Sequence, residues 1–371
     1  MINKNYYPNV DVLRGFAAIS VLVYHVIELY QWKAFPTQGV LLWFRIGWLG
    51  VDLFFVISGF VIALSAFASI DKLGSTSFRK PFFLRRVSRI VPLHYLTMLI
   101  FLVFVMPSFL FEGLFKNLIS HLLFVHNMFP TLHGGINGVN WSLGTEMQFY
   151  ILMLIIAPWL KVAKVWKIAL YFLSVTWLWR YGVTSLVHPD KVQGTFRIFV
   201  AATQLPGMLD EFLAGILLAR LVMSDSVSDF ITSVEPSPLK QFVLFLISGL
   251  LIYLTWIIFW HYPSYWDRPL MIIFFRTLVA VSCASLVFSF CVLDVKGIFE
   301  KFFIPIRYLG TISFGIYLWH LPVILSLQRV QWLQPQKALI LTLSITIVFA
   351  VISWHLFEKP FMNRHKKIIT K

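Results

Sequence analysis

Charge is scarce in this chain: 13% of its 371 residues are Asp, Glu, Lys or Arg, against about a quarter in an ordinary soluble domain. Acidic side chains are the scarcer sign, 16 against 31 basic ones, which leaves a formal net charge of +15. Cysteine is almost absent. Cys283 and Cys291 share one apolar stretch, eight residues and roughly 80° of helix apart. That spacing suits neither a metal nor a redox pair, and both read as packing residues. There is no phosphate-cradling glycine loop, no GxSxG and no HExxH. The histidines fall singly, so no metal site is expected. No serine sits in a recognisable elbow, which leaves a Ser–His–Asp triad open but unsupported. Internal repeats, heptads and low-complexity segments are missing as well.

What the chain has is apolar length. Hydrophobic residues make up 59% of it, in runs that recur from end to end, so the expected fold is an all-α membrane bundle forming one domain over residues 1–371. The first run, about 10–30, contains Arg14 and His25 and is followed by no small-residue cleavage site. It therefore reads as a span rather than a signal peptide. The basic residues lie mainly between apolar runs, as topology signals and contacts for anionic lipid. A nucleic-acid partner is not expected.

Eleven runs can be drawn, of which 114–128 is the weakest: it is short and contains Lys116, His121 and His126. The positive-inside rule decides its status. If 114–128 does not cross and the N-terminus is cytoplasmic, 21 Lys and Arg fall inside and 9 outside; if it crosses, the tally is 14 against 16. About ten spans are thus expected, near 10–30, 46–68, 90–108, 142–160, 167–181, 203–221, 241–260, 270–292, 307–327 and 338–357. Both termini are cytoplasmic on this reading, with a half-buried or re-entrant segment at 114–128.

Ionisable groups inside spans are costly and mark functional sites. Arg14 and His25 are eleven residues apart, roughly 20° past three full turns, so they share one helix face about 16 Å apart. A guanidinium can hold an anion and a neutral imidazole deeper in can accept a proton. A snorkelling arginine and a histidine satisfied by a nearby carbonyl is the plainer alternative. The 69–89 loop holds Lys72, Arg79, Lys80, Arg85, Arg86 and Arg89, with Arg86 and Arg89 facing the same way; such a cluster suits a polyanionic nucleotide tail or topology alone. Asp52 and Glu146 lie at outer span ends, where either can orient His25 or simply face the interface. Asp210 and Glu211 follow Pro206-Gly207, and Arg276 is placed to neutralise one of them. His320 is deep in another span, just before Pro322.

The ordered set of motifs resembles the membrane acyltransferase-3 family, bacterial O-acyltransferases of surface polysaccharides and related glycans. The stretches that carry it are Leu13-Arg14-Gly15 through His25, Gly50 to Phe60, Arg86-Val87-Ser88-Arg89 before Pro92, and Trp141 to Tyr150. Ser313 to Pro322 and Phe357-Glu358-Lys359-Pro360 fit its C-terminal pattern. The resemblance implies a stand-alone enzyme of the bacterial inner membrane. Its co-substrate is a cytoplasmic acyl-CoA, usually acetyl-CoA, with no permanently bound cofactor. Its acceptor is a hydroxyl of a carbohydrate that can be lipid-linked, such as O-antigen or exopolysaccharide. His25 is then the catalytic base, with Glu146 or Asp52 beside it, and Arg14, Arg85, Arg86 and Arg89 bind the donor phosphates. An acyl-histidine intermediate stays open. The same residues fit acylation of a small glycoside, such as a macrolide sugar or a lipo-oligosaccharide signal. A glycan-precursor transporter or flippase is the reading from another class.

Overall fold

In a computed structural model the chain is described over residues 7–111, 113–187, 192–262, 265–295 and 298–369, and every regular element there is helical. In chain order the helices are α1 Val10–Leu29, α2 Gly50–Leu73, α3 Arg79–Ile100, α4 Leu114–Leu122, α5 Trp141–Val162, α6 Val165–Leu186, α7 Val192–Ala202 and α8 Leu205–Val222. They continue with α9 Asp225–Val234, α10 Pro238–His261, α11 Arg276–Cys291, α12 Ile298–Thr311, α13 Ser313–Leu327, α14 Pro335–Ser353 and α15 Lys359–Ile369. Lys4, Lys191, Lys296 and Lys371, counted above for orientation, lie outside the described residues.

Among the described residues seven helical stretches are long and apolar enough to cross a bilayer, or eight if α12 and α13, bent by 62° at Ile312, make one broken span. α6 and α8 have span lengths of 22 and 18 residues, but they carry Lys167 and Arg180, and Asp210, Glu211 and Arg220, which lower their apolarity. They are the two of the ten expected spans that fall short of this measure. The chain is thus an all-α, multi-pass membrane protein.

Several boundaries differ from expectation. The basic residues Arg79 to Arg89 are not in a loop; they form the first three turns of α3. Arg180, at the end of the expected span 167–181 yet one of the nine residues tallied as outside, is fully buried within α6.

The chain forms two compact units. One comprises residues 1–13, 52–78 and 148–307; the other comprises 14–51, 79–147 and 308–371. In the first, α2 and α8 cross with their backbones in contact. A Cβ on Gly59 would stand 2.3 Å from the Phe212 carbonyl oxygen, and one on Gly215 would stand 2.1 Å from that of Val56. Glycine is the residue that permits such an approach. In the second, a 3₁₀ stretch, Val40–Leu49, packs on α1 through Gly47, and α13 packs on α14 through Gly315.

Helix α4 is amphipathic inside out. Asn117, Ser120 and His121 face the interior, while Phe115 and Leu123 are 76% and 65% exposed. Nine residues reach about 14 Å, half a bilayer core. An apolar outer face and a polar inner face suit a helix that enters lipid without crossing it. Its polar side is held from α3: His94 Nε2 donates to the His121 carbonyl at 3.3 Å and the Tyr95 hydroxyl to that of Leu122 at 3.0 Å. The His121 and His126 rings stack 4.0 Å apart.

Candidate active site

Helix α1 enters the second unit at Arg14 and carries His25 just over three turns further on. His25 is half-buried. Its Nδ1 lies 3.0 Å from the Val21 carbonyl oxygen and 3.1 Å from Nε2 of His320 on α13. A carbonyl only accepts, so the hydrogen of a neutral His25 belongs on Nδ1. That leaves the Nε2 lone pair as the basic position. His320, fully buried, accepts through its own Nε2. A neighbour that accepts from Nδ1–H fixes the tautomer and favours the imidazolium once Nε2 takes a proton.

The segment 137–142 clamps α13 beside this pair. Asn137, with φ 52°, donates from Nδ2 to the Leu318 carbonyl at 3.0 Å. The Tyr317 hydroxyl donates to the Val139 carbonyl at 2.9 Å and lies 2.8 Å from Ser142 Oγ, which leaves the Ser142 hydroxyl to donate to it. The Tyr317 and His320 rings are 5.7 Å apart. The Trp141 to Tyr150 motif therefore reaches the site through Ser142. Glu146 follows one turn later and couples electrostatically to Tyr317. Gly144 has its own role: a Cβ there would be 2.6 Å from Asn127 Oδ1, and Asn127 Nδ2 bonds Thr145 Oγ1 at 3.0 Å.

A second set of charges comprises Arg14 of α1, Arg89 of α3 and Glu358. Between α14 and α15 the helix widens into a π turn, Trp354–Glu358, a distortion that often accompanies function. Glu358 closes that turn, 1% exposed; neither of its carboxylate oxygens has a hydrogen-bond partner, and Arg89 first and Arg14 second act on it through longer-range electrostatics. Arg86 lies over the Phe82 ring at 5.5 Å, while exposed Arg85 turns its Nε to its own helix, 3.1 Å from the Pro81 carbonyl. Two guanidinium groups in the field of one buried carboxylate are chemically suited to an anion.

Of the expected site residues, Arg14 and Arg89 share the Glu358 cluster, and His25 shares a hydrogen bond with His320. Asp52 belongs to the other unit, where its carboxylate is spent on Arg276 at 2.9 Å. Local spacing does not reveal the His25–His320 bond, because 295 residues separate the partners; the one available signal is that His320 is another ionisable group deep in a span. Glu358 stands in the motif Phe357 to Pro360 and is found only by the packing of α3 against the π turn.

A family model described as an acyltransferase domain matches residues 7–358. A peptidoglycan O-acetyltransferase, OatA, of Listeria monocytogenes is 28% identical over 96% of this chain and 56% of its own length. An O-acetyltransferase, OatA, of Staphylococcus aureus is 24% identical over 98% of this chain and 58% of its own. The chain thus spans little more than half the length of these relatives. No solved structure matches.

Proposed function

The chain belongs to the acyltransferase-3 family, and on that premise we propose that it is a membrane O-acyltransferase. It moves an acetyl group from cytoplasmic acetyl-CoA to a hydroxyl of a cell-surface or exported carbohydrate. The observation that carries this reading is the His25–His320 bond, with Arg14 on the same helix as His25 and coupled, like Arg89, to the charge of Glu358. The name of the Listeria relative favours a cell-wall glycan as acceptor over O-antigen or exopolysaccharide. The family favours a bacterial inner membrane, and the charge tally supports both termini being cytoplasmic, with Arg14 and the start of α3 then on the donor side.

In the proposed mechanism Arg14 and Arg89 hold donor phosphates, with Arg86 assisting and Glu358 keeping the two guanidinium groups poised. His25 Nε2 takes the proton of the acceptor hydroxyl as its oxygen attacks the thioester carbonyl. The tetrahedral adduct expels the thiolate, and the proton on His25 neutralises it. Through this cycle His25 Nδ1–H stays bonded to Val21 and His320, which stabilise the transient imidazolium. General-base assistance of this kind contributes about 10²–10⁴-fold.

The test is transfer of labelled acetyl from acetyl-CoA to glycan in isolated membranes containing normal levels of protein. The expected result is label in glycan with the wild type and its loss with His25→Ala. Undiminished labelling by His25→Ala overturns the mechanism.

A further inference from the structure

Among the described residues, the first unit buries five charged side chains that the proposed mechanism does not use. Arg180 of α6 grips Asp210 of α8 with two bonds, 2.8 and 2.9 Å, and donates two more to the carbonyls of Gly207 and Ile273. Asp210 also accepts from the Thr277 hydroxyl at 2.6 Å and from the Glu211 backbone at 3.1 Å. So supplied with donors, Asp210 is an ionised carboxylate balanced by Arg180.

The other three do not balance. The π turn Met271–Phe275 delivers Arg276 inward at the start of α11. Its Nη1 faces two carboxyl groups, Asp52 of α2 at 2.9 Å and Glu211 of α8 at 3.5 Å. The side chains of all three are between 0 and 3% exposed. The second oxygens, Asp52 Oδ2 and Glu211 Oε2, are buried and meet no N–H or O–H donor. Yet the two carboxyl groups are within hydrogen-bonding reach of each other. Two carboxylates cannot bond to one another without a proton between them. With both ionised, the five groups would carry a net charge of −1 in a low-dielectric interior, where an uncompensated charge costs several kcal/mol or more. The remaining neighbours do not relieve this. Tyr265 bonds Arg276, Trp266 lies 6.0 Å from its guanidinium, and Cys283 adds only a weakly acidic thiol.

We propose that Asp52 and Glu211 together form a membrane-embedded binding site for one proton, carried on Glu211 and shared with Asp52, with Arg276 as its fixed counter-charge. The shorter bond to Arg276 identifies Asp52 as the ionised member. Glu211 is then a neutral acid whose O–H points at Asp52. The α2–α8 glycine crossing at Gly59 and Gly215 keeps the two helices close enough for the pair to form.

Infrared spectroscopy of the purified full chain in lipid nanodiscs tests this directly through the carbonyl stretch of a protonated carboxyl group. The wild type is expected to show such a band at neutral pH, shifted in D2O, and Glu211→Gln is expected to abolish it. Asp52→Asn is the sharper arm. It leaves Glu211 as the sole partner of Arg276, so Glu211 ionises and the band is again lost although the glutamate remains. Glu211→Gln mimics the neutral acid, so it should keep a near-wild-type melting temperature, whereas Asp52→Asn with Glu211→Gln together should lower it sharply by stranding Arg276. Loss of the proton at alkaline pH should destabilise the wild type and leave Glu211→Gln unaffected. A band that survives both single substitutions, or a wild type without one, overturns the proposal. Should Asp52→Asn fail to fold, the Glu211→Gln spectrum and its alkaline melting curve still decide it.

Discussion

The Nε2 atom of His320 lies 3.1 Å from Nδ1 of His25, on a helix held to residues 137–142 by Asn137 and Tyr317. The first span and the broken span near the C-terminus thereby contribute one imidazole each to a single hydrogen bond. This bond, rather than a carboxylate–histidine pair, is the feature around which the proposed chemistry is built.

Tyr317 is expected to matter more for activity than for folding. Tyr317→Phe removes the hydrogen bonds to Val139 and Ser142 while keeping the ring, at a cost of about 1–3 kcal/mol. The predicted signature is a lower kcat for acetyl transfer with little change in KM for acetyl-CoA and a modest fall in melting temperature. An unchanged kcat would detach the 137–142 clamp from the site.

The arginine cluster predicts opposite effects for opposite charges. Arg89→Ala removes a charge-assisted contact worth about 1.5–3 kcal/mol and should raise KM for acetyl-CoA by about ten- to a hundredfold. Glu358→Gln removes the negative charge that faces both arginines and should lower that KM. Steady-state kinetics in proteoliposomes separates the two, and equal movement in the same direction would contradict a donor site here.

Breaking the Arg180–Asp210 pair on one side should be severe. Arg180→Ala leaves a buried carboxylate uncompensated, at a cost of about 3–5 kcal/mol. Arg180→Met with Asp210→Leu removes both charges and should recover much of the loss. Thermal denaturation in detergent reads both, and a double variant worse than the single would show that the pair is needed as charges.

Acid should weaken the second unit through His133. It stacks on Trp141 at 5.7 Å, in a loop outside the spans, and burial first, then the charge of His126, lowers its pKa to about 3. An unfolded histidine takes its proton near pH 6.5 and the folded one resists. Stability is therefore intact above about pH 6.5 and falls as pH drops from there towards 3, by up to about 1.4 kcal/mol per pH unit. Between pH 7 and pH 5 the wild type should lose about 2 kcal/mol more than His133→Asn, measured by denaturant midpoints. Parallel pH curves would count against the buried neutral imidazole.

Much of this architecture is legible in the sequence because membrane solvation leaves periodic, one-dimensional marks. The apolar runs gave the spans, the Lys and Arg tally demoted 114–128, and the inverted faces of α4 agree with that demotion. Arg14 and His25 on one face follow from helix geometry alone. What stays hidden is pairing between distant helices. The sequence offers Arg276 as a partner for Asp210 or Glu211, yet Arg180 of α6 takes Asp210, and Arg276 takes Asp52 with Glu211. Such choices are made by the glycine crossing of α2 on α8 and by the π turn before Arg276, and neither has a local sequence signature.

The most direct test of the central claim is a double-mutant cycle on acetyl transfer with His25→Ala, His320→Ala and both together. If His320 acts through His25, His320→Ala lowers kcat on its own, and the double variant is no slower than His25→Ala. Losses that multiply in the double variant would show two independent roles and contradict the account.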